Sequence, residues 1–247
     1  MPAAKKPEQE LAVQDALPAK RTRKAPKADS STDAPVRAAN TRDPERTSAA
    51  ILAASVKEFT ERGYEGARID NIARRAGINK RMLYHYFGNK EALYVAVLEG
   101  SYTSIRSAER SLRLPERDPI EAMRDLVLFT WRYYQNHPEF LAILNTENLH
   151  RAKFLKRSAR IFELNSPLIE QISVLLEHGA EAGVFRRDTD PVKIYISIAS
   201  LGFFYLSNRW TLSTIFRRDL LAKEEIESWG QHMVDVILSY LRPVQGQ

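Results

Sequence analysis

The sequence predicts an all-α protein, with a three-helix head near the N-terminus and a larger helical body after it. Two observations carry that expectation. Apolar residues recur at three- and four-residue spacing in almost every segment beyond residue 45, which is the period of a helix buried along one face. No run alternates apolar and polar positions as a half-buried strand would, and Pro, Gly, Asn and Asp stand where such helices should start and stop.

The first helix is expected over about 45–62, with Ile51, Leu52, Ser55, Val56 and Phe59 as its buried stripe and Gly63 at its end. Ile69, Ile72, Ala73 and Ala76 mark the inner face of a short second helix. Gly77 stops that helix, because a sharp turn there needs a residue that accepts positive φ. Asn79 can cap a third helix, whose inward anchors are Leu83 and Phe87, while Ile78 plugs the turn. A small residue, a glycine turn and a capped helix with basic and aromatic outward positions form the pattern of a helix-turn-helix. A fourth helix is expected from Asn89 to about Leu112, joining head to body through Leu93 and Val97.

The body continues with helical spacing from Ile120 to Tyr134 and a short helix opening at Pro138. A basic amphipathic stretch follows over 149–163, and a further helix is expected from Pro167 to Gly183. Asp190 can cap a long helix that reads apolar almost all round from Ile194 to Leu206, and Ile226, Trp229, Met233, Val236, Ile237 and Tyr240 line one wide face of the last one. Helices near 191–215 and 223–241 are expected to pair with their copies in a second subunit, with those six residues as the interface. The alternative is that they complete a monomeric core.

Charge divides the chain. Of the net charge of +6, residues 1–41 hold +3 and residues 42–91 hold +3, so the remainder is neutral. The surplus falls on the tail and the helix-turn-helix, as a footprint for a phosphate backbone would. Residues 1–41 contain no aromatic residue and read as a disordered basic tail. Its cluster Lys20-Arg21-Thr22-Arg23-Lys24-Ala25-Pro26-Lys27 is expected to serve either as an arm along DNA or as a solubilising tail. Residues 42–91 then form the DNA-binding domain and residues 92–242 the regulatory and dimerisation body. Cysteine is absent, which excludes disulfides and thiolate metal sites and fits a reducing cytoplasm. No apolar run approaches a membrane span. The five histidines lack metal-ligand spacing, and no nucleophile elbow or phosphate-cradling loop is present, so neither catalysis, a metal nor a cofactor is expected.

The run Leu83-Tyr84-His85-Tyr86-Phe87-Gly88-Asn89-Lys90-Glu91 resembles the end of the recognition helix in TetR-family transcriptional regulators. The resemblance covers residues 46–95 closely. It departs in the order of the aromatic run and at Ala67-Arg68, where the family usually carries hydroxyl residues. Lys80 and Arg81 are candidates for base edges, since their donors suit guanine N7 and O6, and Met82 for a thymine methyl. Asn79, Tyr84 and His85 also point outward, the last two as phosphate donors, and Arg68 can reach a phosphate by charge. For Lys90 the resemblance implies a phosphate contact.

One short recognition helix reads few base pairs, so the two heads of a homodimer are expected to read a palindromic double-stranded DNA operator; the resemblance implies a small-molecule effector bound by the body. Candidate pocket walls are Tyr102, Trp131, Tyr134, Phe162 and Phe203, with Asn145, Asn148, His150 and Arg151 as polar anchors. The implied effector is a small aromatic acid or nitrogen heterocycle. The expected function is a ligand-released repressor; the alternatives are an activator with the same contacts, or an architectural DNA-binding protein that needs no ligand.

Overall fold

A computed structural model describes residues 43–243, and the basic tail lies outside the described residues. The described residues form ten α-helices and two short 3-10 turns, with no strand among them. They are α1 (Pro44–Gly66), α2 (Ile69–Arg75), α3 (Lys80–Phe87), α4 (Lys90–Arg110), α5 (Pro119–Asn136), α6 (Pro138–Leu149), α7 (Ala159–Glu181), α8 (Pro191–Ser207), α9 (Arg209–Phe216) and α10 (Lys223–Leu241).

Helix starts follow local chemistry. Asp43, Asn79, Asn89, Asp118, Ser158 and Asp190 each accept a backbone N–H of the first turn that follows, and Pro119, Pro138 and Pro191 occupy first positions where no amide donor is needed. Inside α1, Gly63 takes φ 62° and breaks the regular helix, so the last residues turn back toward α2.

Two apolar clusters hold the chain. The first gathers Ile51, Phe59, Ile72, Leu83, Leu93, Tyr94 and Leu98 of α1–α4, and Ile143, Phe154 and Ile161 join it from the body. Tyr64 sits at the seam, with its ring centroid 5.1 Å from Tyr94 and 4.2 Å from Phe154. The second cluster fills the body between α5, α7, α8 and α10. There Gly230 lets the Trp131 indole lie directly on α10, where its N–H donates to the Ile226 carbonyl at 3.1 Å.

Two boundaries differ from the sequence reading. The helix expected from Pro167 begins at Ala159, because Ser158 caps it and Ile161 buries its first turn; Pro167 lies in its interior. The apolar helix expected to reach residue 215 ends at Ser207, and Asn208 leaves helical geometry before α9 resumes.

The last helix also divides differently from its expected interface. Met233 and Ile237 are buried within this chain's own core, so their assignment to a subunit interface is corrected. Ile226 and Trp229 are half-buried against the same core, and the Trp229 indole donates to the Leu201 carbonyl at 3.3 Å. Val236 and Tyr240 face outward.

Candidate functional site

The helix-turn-helix is built by α2, the Gly77 turn and α3. Gly77 takes φ +66°, and the Ile78 amide donates back to the Ala73 carbonyl at 3.0 Å, closing α2. Asn79 Oδ1 accepts the Met82 amide at 2.8 Å, which starts α3 and commits that oxygen to the cap rather than to a base. Leu83 is fully buried and fixes the roll of α3. Lys80, Arg81, Tyr84 and His85 are thereby left on its exposed face. Met82 is half-buried beside them.

The outward cations are not equivalent. Lys80 Nζ is paired to Asp70 at 3.0 Å, and that hydrogen-bonded carboxylate raises its pKa. Arg81 has no such partner among the described residues and is the freest donor on α3. Arg75 is bound to Glu61, and its hydrogen bond raises the Arg75 pKa. Lys90 turns inward: it is half-buried over the Tyr64 ring, donates to the Glu65 carbonyl at 3.3 Å, and burial lowers its pKa. Arg68 is exposed beside Arg62 and Asn71 in a shallow surface hollow.

The missing cap ahead of α2 is supplied from another helix. Arg68 has no capping side chain of its own; the buried Glu58 of α1 accepts its amide at 3.2 Å and the Asn71 amide group at 2.9 Å. The sequence reading missed Glu58. The signal was present, because it falls one heptad after Ile51 on the buried stripe of α1.

In the body the expected pocket residues do not converge. Phe162 is 78% exposed. Asn145, Asn148 and Arg151 are also exposed, with the Asn148 amide turned back to the Leu144 carbonyl. His150 packs at the head–body seam, with its Nε2 3.5 Å from Glu65 and its ring 6.0 Å from Tyr64. These five are corrected as pocket residues, because α6 ends at Leu149 and the turn after it faces solvent and the head. Trp131 is closed off by α10, and Phe203 is half-buried against the body core.

Tyr102 and Tyr134 both pack against Phe140, near a pair the sequence reading did not single out. Arg106 and Glu109 of α4 are each 2% exposed, joined by Nη1–Oε2 at 2.6 Å. Arg106 Nη2 also donates to the Tyr195 hydroxyl of α8 at 2.8 Å. Arg106 Nε and Glu109 Oε1 have no hydrogen-bond partner among the described residues. Burial pushes the Glu109 carboxyl up to about 7 against the pull of Arg106, and the Tyr102 hydroxyl up to about 12; burial also raises Tyr134. The missed signal was the inward stripe Leu98, Tyr102, Ile105, Glu109, which ends on a carboxylate.

Comparison with known proteins bears on both regions. Residues 51–97 match the model of bacterial regulatory proteins of the tetR family, and residues 119–237 match that of the tetracyclin repressor-like C-terminal domain. The HTH-type transcriptional repressor NicS of Pseudomonas putida is 42% identical over 198 residues, covering 80% of this chain and 93% of that protein. The chain belongs to the TetR family. It is a transcriptional repressor of that DNA-binding family, not an enzyme.

A second relative in sequence, the HTH-type transcriptional repressor SCO4008 of Streptomyces coelicolor, is 40% identical over 109 residues, 44% of this chain and 53% of that protein. The fold is shared at lower sequence identity as well. A putative transcriptional regulator of Streptomyces coelicolor, SCO4942, superposes with TM-score 0.59 at 20% identity, covering 79% of this chain and 98% of that one. The fatty acid degradation regulator FadR of Bacillus halodurans gives TM-score 0.59 at 20% identity, over 78% and 99%. No helix among the described residues is long and apolar enough to cross a membrane.

Proposed function

We propose that this TetR-family repressor acts as a homodimer on a palindromic operator and is released by a small-molecule effector, an aromatic acid or nitrogen heterocycle, bound in the body. The observation that carries the proposal is α4. One continuous helix places Leu93, Val97 and Leu98 in the head cluster and Ile105 in the body cluster. A ligand that prefers another arrangement of the body would therefore tilt the head through a rigid element, provided its affinity differs between the two states.

Dimerisation has its own support. On α10, Val236 and Tyr240 stand four residues apart on one exposed face. On α8, Val192, Ile196 and Phe204 are exposed apolar residues. Two such helices from each copy would bury these surfaces in a four-helix seam. Two heads would then present two copies of α3 to successive major grooves about 34–36 Å apart, with Arg81 at base edges and Tyr84 and His85 on phosphates.

The test is binding of the purified chain to DNA from upstream of its own gene and to scrambled DNA of equal length, at two salt concentrations. Selective binding by a species of twice the monomer mass, giving a two-fold footprint, is the expected result. Equal binding to both DNAs, collapsing together as salt rises, would replace this reading with the architectural one.

A further inference from the structure

We infer that Arg106 anchors the effector, and that the effector class it accepts is a small aromatic monocarboxylate taken in exchange for Tyr195. This rests on the reading of the chain as an effector-released repressor. The geometry of the buried pair carries it. Glu109 lies on the same helix, three residues away, and offers Arg106 one short contact through Oε2. A guanidinium is a planar fork whose best partner is a carboxylate meeting two parallel N–H groups. Here the fork is only partly met: Nη1 holds Glu109, Nη2 holds the Tyr195 hydroxyl, and Nε has no partner.

The Nε and Nη2 edge is the side of the fork that a second carboxylate would use, by replacing the neutral Tyr195 hydroxyl. Aromatic surroundings fit the rest of such a ligand. Tyr195 stacks its ring under the guanidinium, whose carbon is 5.3 Å from the ring centroid, and Tyr102 and Tyr134 both lie close enough to the pair to feel its charge. Glu109 can stay in place when the new anion arrives, because its burial has already brought its proton affinity near neutrality. A carboxamide has the same shape but one acceptor oxygen and no charge, so it would leave the fork and the buried cation unanswered.

The exchange also reaches the DNA head. The Arg106–Tyr195 bond ties α4 to α8 across 89 residues of sequence. Taking Arg106 away from Tyr195 releases that tie on α4, which runs from the head core into the body core.

The test uses the full chain with benzoate, hydroxybenzoates and pyridinecarboxylates, each beside its carboxamide. Melting temperature reads binding without DNA, and fluorescence anisotropy on the upstream DNA reads release. At least one acid should raise the melting temperature and release DNA, with its carboxamide at least about tenfold weaker, the factor that about 1.4 kcal/mol represents. Arg106→Lys keeps the charge but loses the fork and should weaken the acid's effect about tenfold or more.

The double variant Arg106→Met/Glu109→Met removes both charges, an exchange that buried ion pairs tolerate. It also lacks the Arg106–Tyr195 tie that the acid would break, so it should bind DNA more weakly than the wild type and show no melting shift with the acid. Equal action of acid and carboxamide, an acid response surviving in the double variant, or no melting shift from any acid would each overturn the inference. A melting shift in a protein that binds no upstream DNA would uphold Arg106 as the anchor and instead overturn the repressor reading.

Discussion

Glu58 and Arg68 meet across the gap between two helices: the carboxylate of the first accepts the backbone N–H of the second at 3.2 Å. This is half of a capping box, with the acid supplied by α1 instead of the third position of α2. The same carboxylate accepts from Asn71 at 2.9 Å and lies 3.5 Å from Arg75 Nε, so a single fully buried acid orients the first motif helix against α1. Glu58→Ala is expected to cost about 2 kcal/mol of head stability, since it leaves part-buried donors without a charged acceptor. Glu58→Gln, which keeps an acceptor, should lose about 1 kcal/mol. Urea unfolding followed by anisotropy on operator DNA checks both; a DNA affinity unchanged in Glu58→Ala would remove this role.

Lys80 opens α3 already paired to Asp70 of α2. Both side chains are largely exposed, so the pair adds little to folding. Its effect falls on DNA, because Asp70 both occupies Lys80 and repels phosphate. Asp70→Asn should raise DNA affinity severalfold and steepen the salt dependence by about one unit of log K against log salt. The melting temperature should stay put. A weaker complex would instead identify Asp70 as an acceptor for a cytosine amino group.

Glu109 gives a pH dependence of known sign. Its carboxyl titrates at about 7 in the fold against 4.5 when unperturbed, because burial outweighs Arg106. Arg106 of its own helix and Tyr133 and Tyr134 of α5 are the charged and titratable groups coupled to it. Below pH 4.5 it is protonated folded or unfolded. Between 4.5 and 7 the unfolded chain releases a proton that the folded chain keeps, so stability falls as pH rises, by on the order of 3 kcal/mol in all. Glu109→Gln lacks this titration. The stability of the wild type relative to that variant should therefore decline from pH 5 to pH 8 in urea titrations. A flat difference would mean that Arg106 holds the carboxylate ionised throughout.

The head was legible in the sequence because its rules are local. Gly77, Asn79 and Leu83 each act within one or two turns, so a turn, a cap and an anchor could be read directly from spacing. Glu58 and Arg106 were harder to find, because their partners lie ten and 89 residues away and only the packed fold brings them together. The aromatic residues of the body misled for a related reason. Trp131 and Phe162 have the same composition signal, yet one is closed under α10 and the other faces solvent, and periodicity in an apolar-rich helix does not separate the two. Met233 and Val236 show the same ambiguity on α10: they are neighbours on a wide apolar face, of which this chain's own core covers one flank only.

That flank gives the last prediction. Val236 and Tyr240 stand one turn apart on the exposed side of α10, while Met233, Val234, Ile237 and Leu241 hold the helix to its own body. A charge at the two exposed positions should leave the monomer fold intact, since neither side chain contributes to the buried cluster. In a four-helix seam, however, symmetry places the new charges of both copies close together, where each would be desolvated without a partner. Val236→Glu/Tyr240→Glu is therefore expected to sediment at monomer mass with unchanged helical circular dichroism. Its operator affinity should drop by at least about a hundredfold, because a single short recognition helix loses the second half-site. If the variant remains a dimer, the subunits associate through another surface, and the exposed Trp210, Ile215 and Phe216 of α9 would be the next to replace.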